Sequence, residues 1–412
     1  MKLFAPLKHR STHKRYRRVF SVFPSSLRRG KHSGTMIMTT LTEHIVATKD
    51  VQLFSGNNPL ETECGEKLAP VTVAYETYGE LNDAGDNAIL VCHALTGSAH
   101  AAGFLSGDAK SAGWWDSFIG EGKTLDTQKY FVVCSNFLGG CYGTTGPVSP
   151  DPRTGRPYGM SFPQMTIRDM VRVQKALADF LGVRQLRTII GGSLGGMQAL
   201  EWGVMYPGFV RSLIPIATAS AHSPWCIGLN GIARQAIMND PEWRQGDYYN
   251  HGQPEKGLSL ARQVAMVSYR SEASFLERFH RERIKSNGHG TRTGFDPENL
   301  FQVESYLRYQ GKKLVDRFDA NTYIYISRAM DLHDVGYGRG SIEDVLSSVN
   351  VPVLCVGIDS DILYPVSEQK KLASQLPRAR YREISSPFGH DAFLIEFEQL
   401  GRFVEEFLRD VR

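Results

Sequence analysis

The stretch from Leu186 to Met205 constrains this chain more than any other: a strand pattern, Leu186 to Ile190, runs into Gly191-Gly192-Ser193-Leu194-Gly195-Gly196, and a helical pattern follows to Met205. A serine at such a strand-to-helix turn needs small neighbours, because the backbone doubles back and side chains there would collide. Gly191, Gly195 and Gly196 supply the room. A plain glycine-rich turn or a phosphate loop would share the glycines, but Ser193 sits at the apex and no lysine follows to hold a phosphate. The stretch is therefore read as a nucleophile elbow, with Ser193 as the catalytic nucleophile of an acyl-transfer enzyme.

Short apolar runs recur on both sides of it: Asn87 to Leu95, Tyr130 to Leu138, Val210 to Ala219 and Val351 to Ile358. Each predicts a buried parallel strand. Between the second run and the elbow strand, Ile167, Met170, Val173, Leu177 and Phe180 fall at helical spacing within Thr166 to Leu181, and Gly182 follows as a C-cap, completing a βαβ unit. From about His222 to Gly340 the texture turns helical, charged and Tyr-rich, as in Leu258 to Phe279, broken by a Gly/Asn/Thr-rich loop around Ser286 to Gly294. Strand signals then resume at Val351. The expected organisation is a basic tail at 1–38, a first part of an α/β core at 39–220, a helical lid insertion at 221–340 and a second part of the core at 341–412.

With 42% hydrophobic and 22% charged residues the chain has the composition of a globular protein, and no apolar run approaches the roughly 18 residues of a membrane span. Its net charge of +4 comes from ten Lys and Arg residues, with no acid, in the first 35 positions; the remaining 37 basic and 43 acidic residues leave the body at −6. A mildly acidic body in which no interleaved basic and aromatic pattern recurs argues against a nucleic-acid-binding fold, and no membrane association is expected. The tail fits a transit peptide, a disordered arm or upstream sequence translated from a misassigned start; the last is favoured, with Met36 or Met38 as the start. The six cysteines show neither metal-site spacing nor the density of a disulfide scaffold. Cys92, Cys134 and Cys355 read as buried thiols in a reducing, cytoplasmic setting, with no metal.

A serine hydroxyl needs a base to take its proton and an acid to orient that base. Downstream, Val353 to Ile358 ends in Asp359-Ser360-Asp361, and Tyr381 to Ser385 leads to Pro387-Phe388-Gly389-His390-Asp391. The order Ser, Asp, His is that of the α/β-hydrolase fold, a mostly parallel sheet flanked by helices. His390 is the candidate base, while Asp359 and Asp361 both follow the strand and both remain candidates for the acid. Two amides must face the developing oxyanion: that of Leu194, after the nucleophile, and that of Leu95, in His93-Ala94-Leu95-Thr96-Gly97-Ser98 after an early strand.

The sequence resembles the homoserine O-acetyltransferase family of methionine biosynthesis from roughly Val51 to the C-terminus. The resemblance is carried by Val73-Ala74-Tyr75-Glu76-Thr77-Tyr78-Gly79, His93-Ala94-Leu95-Thr96-Gly97, Gly113-Trp114-Trp115, the elbow through Gln198, Arg317-Phe318-Asp319-Ala320-Asn321 and Gly389-His390-Asp391. It implies Ser193, Asp361 and His390 as the triad, and so selects Asp361. It also implies substrate-binding roles for Arg262 and Asp391, whose charges suit the carboxylate and the ammonium of homoserine. Read without it, Arg262 is as well a solvated helix residue and Asp391 a loop cap.

The implied reaction is ping-pong: Ser193 takes the acyl group from acyl-CoA, and the hydroxyl of L-homoserine then attacks the acyl-enzyme. No cofactor is expected beyond acetyl-CoA as co-substrate, and the resemblance implies a homodimer with the lid at the interface. Relatives resembling succinyltransferases tend to carry Arg two residues after the triad aspartate, to meet the succinyl carboxylate. Leu363 occupies that position here, which predicts acetyl. Serine as acceptor, succinyl-CoA as donor, an esterase or thioesterase on the same fold, and a non-catalytic binding protein are the alternatives.

Overall fold

β-Branched and apolar residues in runs too short for helices form the spine of the structure, a computed structural model that describes residues 45–106, 108, 111–284 and 301–411. The basic tail at 1–38 and the Gly/Asn/Thr-rich stretch around 286–294 lie outside the described residues. Ten strands form among the described residues: β1 (Lys49–Leu53), β2 (Leu60–Glu61), β3 (Lys67–Leu68), β4 (Val71–Tyr78), β5 (Ala88–Cys92), β6 (Phe131–Ser135), β7 (Leu186–Gly192), β8 (Leu213–Ile216), β9 (Val353–Ile358) and β10 (Ala379–Ile384). β2 and β3 make a small separate hairpin, and the other eight form one sheet in the order β1-β4-β6-β5-β7-β8-β9-β10. From β6 to β10 all pairs are parallel, and β1 and β4 add an antiparallel margin. Every residue of β5, β6, β8 and β9 is buried, as unbroken apolar runs require when helices cover both faces.

Ten α-helices accompany the sheet among the described residues. They are α1 (Ile167–Phe180), α2 (Leu194–Met205), α3 (Pro224–Met238), α4 (Glu255–Tyr269), α5 (Glu272–Phe279), α6 (Gln302–Val315), α7 (Ala320–Asp331), α8 (Ile342–Ser347), α9 (Val366–Gln375) and α10 (Phe397–Asp410). α1 starts where Thr166 and Asp169 cap each other's amides and stops at Gly182, whose φ of +79° only glycine adopts freely. α10 buries Leu400, Val404, Phe407 and Leu408, one stripe at helical spacing, against one face of the sheet. On the other face Met170, Leu177, Met197 and Trp202 of α1 and α2 join the larger core.

The helices from α3 to α8 all lie between β8 and β9, which are neighbours in the sheet. The limbs by which the chain leaves and returns are paired: Ala221 bridges Asp334 antiparallel, His222 N–H donates to the His333 carbonyl at 2.9 Å, and Val335 N–H to that of Ser220 at 2.9 Å. Arg168 of α1 holds the return limb, donating to the carbonyls of Asp334 (3.0 Å) and Tyr337 (2.8 Å). Its guanidinium is itself paired with the buried Glu201 at 3.2 Å, and Arg339 reaches the same carboxylate at 2.7 Å.

α2 is nearly all buried because its first turn runs directly over the end of β5. A Cβ on Gly195 would stand 2.0 Å from the Cys92 carbonyl oxygen, and one on Gly191 2.5 Å from the Gly195 carbonyl carbon. Backbone lies on both sides, so neither can give way. Gly195→Ala is expected to cost about 3 kcal/mol of stability, read as a lowered urea midpoint; a midpoint at the unsubstituted value would mean that this approach is not the constraint described.

Candidate active site

Ser193 stands between β7 and α2 at φ 57°, ψ −123°, a conformation a non-glycine residue holds only when its surroundings impose it. They do so through hydrogen bonds. Its N–H donates to the Ile216 carbonyl at 2.9 Å, and its carbonyl accepts from Gly196 N–H (2.9 Å), Met197 N–H (3.2 Å) and the Thr218 hydroxyl (2.8 Å). The serine is thus fixed at the C-terminal end of the sheet, where loops after parallel strands gather.

Two of those loops supply its companions. His390, on a short 3₁₀ turn (Gly389–Leu394) after β10, places Nδ1 2.7 Å from Oδ2 of Asp361, which follows β9. The other carboxylate oxygen of Asp361 accepts from Leu363 N–H (2.8 Å) and Tyr364 N–H (3.0 Å). Asp359 is occupied elsewhere, accepting from Ser386 N–H at 3.0 Å and the Ser385 hydroxyl at 2.7 Å, so it caps the turn and leaves Asp361 to the histidine. Ser193, Asp361 and His390 are all buried. The turn carrying His390 also packs on the elbow, since the Phe393 ring fills the space beside Gly192.

Burial pushes the His390 imidazolium down, but the charge and hydrogen bond of Asp361, with a smaller contribution from Asp391, outweigh it and raise the pKa above the usual histidine value. A carboxylate on Nδ1 fixes the tautomer that leaves Nε2 free to accept a proton.

Leu194 begins α2, where helix amides have no intrahelical partner, and Leu95 lies in the loop after β5, against whose last residue, Cys92, α2 is packed. That loop is tied down on several sides: Ala99 N–H donates to Asn136 Oδ1 at 2.7 Å, Trp114 Nε1–H to the Ser98 carbonyl at 2.8 Å, and Arg317 Nη1 to the Thr96 carbonyl at 2.8 Å. The two amides therefore belong to rigid segments at the same end of the sheet.

Arg262, on α4, meets no carboxylate among the described residues; its guanidinium lies over the Tyr269 ring at 5.6 Å, and that ring is 5.7 Å from the imidazole of His390. Asp391 is already paired, with Arg270 Nε at 3.2 Å from Oδ2. Leu363 is buried and its carbonyl accepts from the Cys226 thiol at 3.2 Å. Sequence reasoning did not single out Tyr269, Arg270 or Tyr364. Tyr269 and Arg270 stand seven and eight positions after Arg262, two helical turns along, and that spacing was the available signal.

Among the described residues no three His, Cys, Asp or Glu side chains gather as a metal site, and no helix is long and apolar enough to cross a membrane. All six cysteines are free, with Cys92, Cys134 and Cys355 buried.

Residues 87–397 match the family model of the alpha/beta hydrolase fold. The homoserine O-acetyltransferase of Carboxydothermus hydrogenoformans is 52% identical over 371 residues, covering 89% of this chain and 96% of that one. Among solved structures, homoserine O-acetyltransferase from Bacillus anthracis superposes with a TM-score of 0.81 at 32% identity, covering 88% of this chain and 98% of the other. Esterase E22 reaches 0.80 at 29% identity over 88% and 100%.

If His390 must be neutral to act, kcat/KM falls with decreasing pH through the pKa of the free enzyme. Because that pKa is raised, the acid limb is expected above about pH 6.5. Asp361→Asn removes the main cause of the rise and leaves burial, so the limb moves below about 6.5 while kcat drops by about a thousandfold or more. A pH–rate profile checks both, and a limb that stays put in the variant contradicts the pairing.

Proposed function

Because the chain belongs to the homoserine O-acetyltransferase family of the α/β hydrolases, we propose that it transfers acetyl from acetyl-CoA to the hydroxyl of L-homoserine through an acyl-Ser193 intermediate. The observations that carry the reading are the His390–Asp361 pair, a serine held at a positive φ, and the Phe393 ring of the His390 turn packed beside Gly192 of the elbow.

In the first half, His390 Nε2 takes the Ser193 proton as Oγ attacks the thioester carbonyl, and the Leu95 and Leu194 amides receive the oxyanion. Collapse breaks the C–S bond, and His390 returns the proton to the departing CoA sulfur. In the second half, the homoserine hydroxyl gives its proton to His390 and attacks the acyl carbon. Collapse then releases Ser193 Oγ, which recovers that proton, and O-acetyl-L-homoserine leaves.

The acceptor is chosen by charge. Arg262, with no carboxylate among the described residues to satisfy it, suits the homoserine carboxylate, and Asp391 keeps one oxygen for the ammonium while Arg270 holds the other. The donor is chosen by the lack of it: a succinyl carboxylate would need a cation, and the residue two places after Asp361 is the buried, apolar Leu363. The product suits methionine biosynthesis, and six free thiols suit a reducing cytoplasm.

Esterase is the second reading, favoured by the likeness to esterase E22, since an elbow and a triad suffice for hydrolysis. Steady-state CoA release, followed with acetyl-CoA and with succinyl-CoA, separates the two. The transferase predicts release that depends on homoserine, a preference for acetyl-CoA, and no acetyl adduct in Ser193→Ala. Arg262→Met should raise the KM for homoserine at least about tenfold and leave that for acetyl-CoA unchanged. Equal CoA release with and without homoserine would sink it.

Assembly as a homodimer through the lid suits two apolar stripes. α3 exposes Trp225 (57%) and Ile232 (56%), and α4 exposes Leu260 (50%) and Val267 (49%), each pair seven residues apart on one face. Sedimentation velocity should give twice the chain mass, and Ile232→Asp should shift it to the monomer; an unsubstituted monomer refutes the assembly.

A further inference from the structure

A second buried histidine–aspartate pair lies at the base of the lid. His222, on the limb that leaves the core, has Nδ1 3.2 Å from Oδ1 of Asp331, the last residue of α7, and Nε2 3.0 Å from the Tyr364 hydroxyl. All three side chains are almost wholly buried. Asp331 is braced from α3 as well, by Arg234 Nη2 at 2.5 Å and Asn230 Nδ2 at 2.9 Å.

The protons in this chain can be placed. Burial pushes the Asp331 carboxyl up, but hydrogen bonds from His222 and Asn230 and the charge of Arg234 outweigh it and hold its pKa below the ordinary range. A carboxylate only accepts, so His222 donates from Nδ1. Burial drives the Tyr364 phenol well above its usual range, so it keeps its proton, and with a neutral imidazole that donates from Nδ1 it donates to Nε2. The direction is then uniform, from Tyr364 through His222 to Asp331.

At its other end Tyr364 touches both members of the catalytic pair. Its N–H donates to Asp361 at 3.0 Å, and its ring centroid lies 5.3 Å from that of His390. One residue thus links the triad loop to the point where the lid leaves the core.

We propose that Tyr364 is a positioning residue for the His390–Asp361 pair and that His222 and Asp331 lock it, so that the triad is set only when the base of the lid is seated. The inference rests on the assignment of Ser193, Asp361 and His390 as the triad. It adds a coupling between the part of the chain that receives the acceptor and the part that performs the chemistry. A lid out of register would free the Tyr364 hydroxyl, and the ring against His390 would lose its anchor. The histidine would then spend less time aimed at Ser193, which lowers turnover without altering the contacts that bind substrate.

The test compares Tyr364→Phe, Asp331→Asn and the double variant with the parent enzyme, by steady-state kinetics with acetyl-CoA and homoserine and by thermal unfolding. Tyr364→Phe keeps the ring and loses only the hydroxyl. Each single change is expected to lower kcat by on the order of tenfold with both KM values within about twofold. The double variant should be no worse than about twofold below the poorer single, because both changes interrupt one chain. Tyr364→Phe with parental kcat, a raised homoserine KM at unchanged kcat, or losses that multiply in the double variant would each overturn the proposal. Should Asp331→Asn fail to fold, the split between kcat and KM in Tyr364→Phe decides alone. Ser193→Ala keeps the two assignments apart: transfer surviving in it removes the triad reading, whereas a dead Ser193→Ala beside a fully active Tyr364→Phe removes only this inference.

Discussion

One close approach governs the catalytic end of the molecule: the backbone of α2 meets the last carbonyl of β5, with no room for a side chain at Gly195 or Gly191. From it follow the tightness of the turn and the positive φ of Ser193. From it also follows the nearness of the Leu95 loop to the first amides of α2. The site is thus built from backbone positions before any side-chain chemistry enters. The hydrogen bonds that Ser193 makes to Ile216 and Thr218 extend the constraint to β8 and the segment after it, where the lid begins.

Electrostatics then separates histidines that burial alone would treat alike. His93 and His333 are as deeply buried as His390, but their rings meet the backbone carbonyls of Ala94 and Ala219. Burial prevails and drives them to about 4 and about 3. His390 faces a carboxylate and moves the other way. Of these three rings, only His390 has its hold on a proton strengthened by its surroundings.

The elbow was legible because its demand is local: glycine must stand where the backbone crowds itself, and that leaves a mark in consecutive letters. The βαβ unit around α1 was legible for the same reason, through helical periodicity and a terminal glycine. The choice between Asp359 and Asp361 was not legible in the residues themselves, since both follow β9; the family resemblance selected Asp361, and the turn shows it reaching the imidazole while Asp359 caps Ser385 and Ser386. Nor was the pairing of Asp391 with Arg270, a contact between residues 121 positions apart that no spacing rule encodes. The antiparallel strands β1 and β4 escaped because β4 carries Glu76 in its interior; His100, Thr48 and Tyr78 satisfy that carboxylate in space, where the sequence shows only a charge inside an apolar run.

The helices of the lid leave the sheet after β8 and return before β9, two strands that lie side by side, and their limbs are paired with each other where they depart. Removing everything beyond that pairing would leave the sheet order unchanged and a short gap to close. On the proposed reading, the Arg262 share of acceptor recognition, on α4, occupies a detachable unit of the architecture, while Asp391 stays with the core. Changes there can accumulate without disturbing the strands that hold the nucleophile. A chain of this design is able to exchange the molecule it acylates while conserving how it acylates.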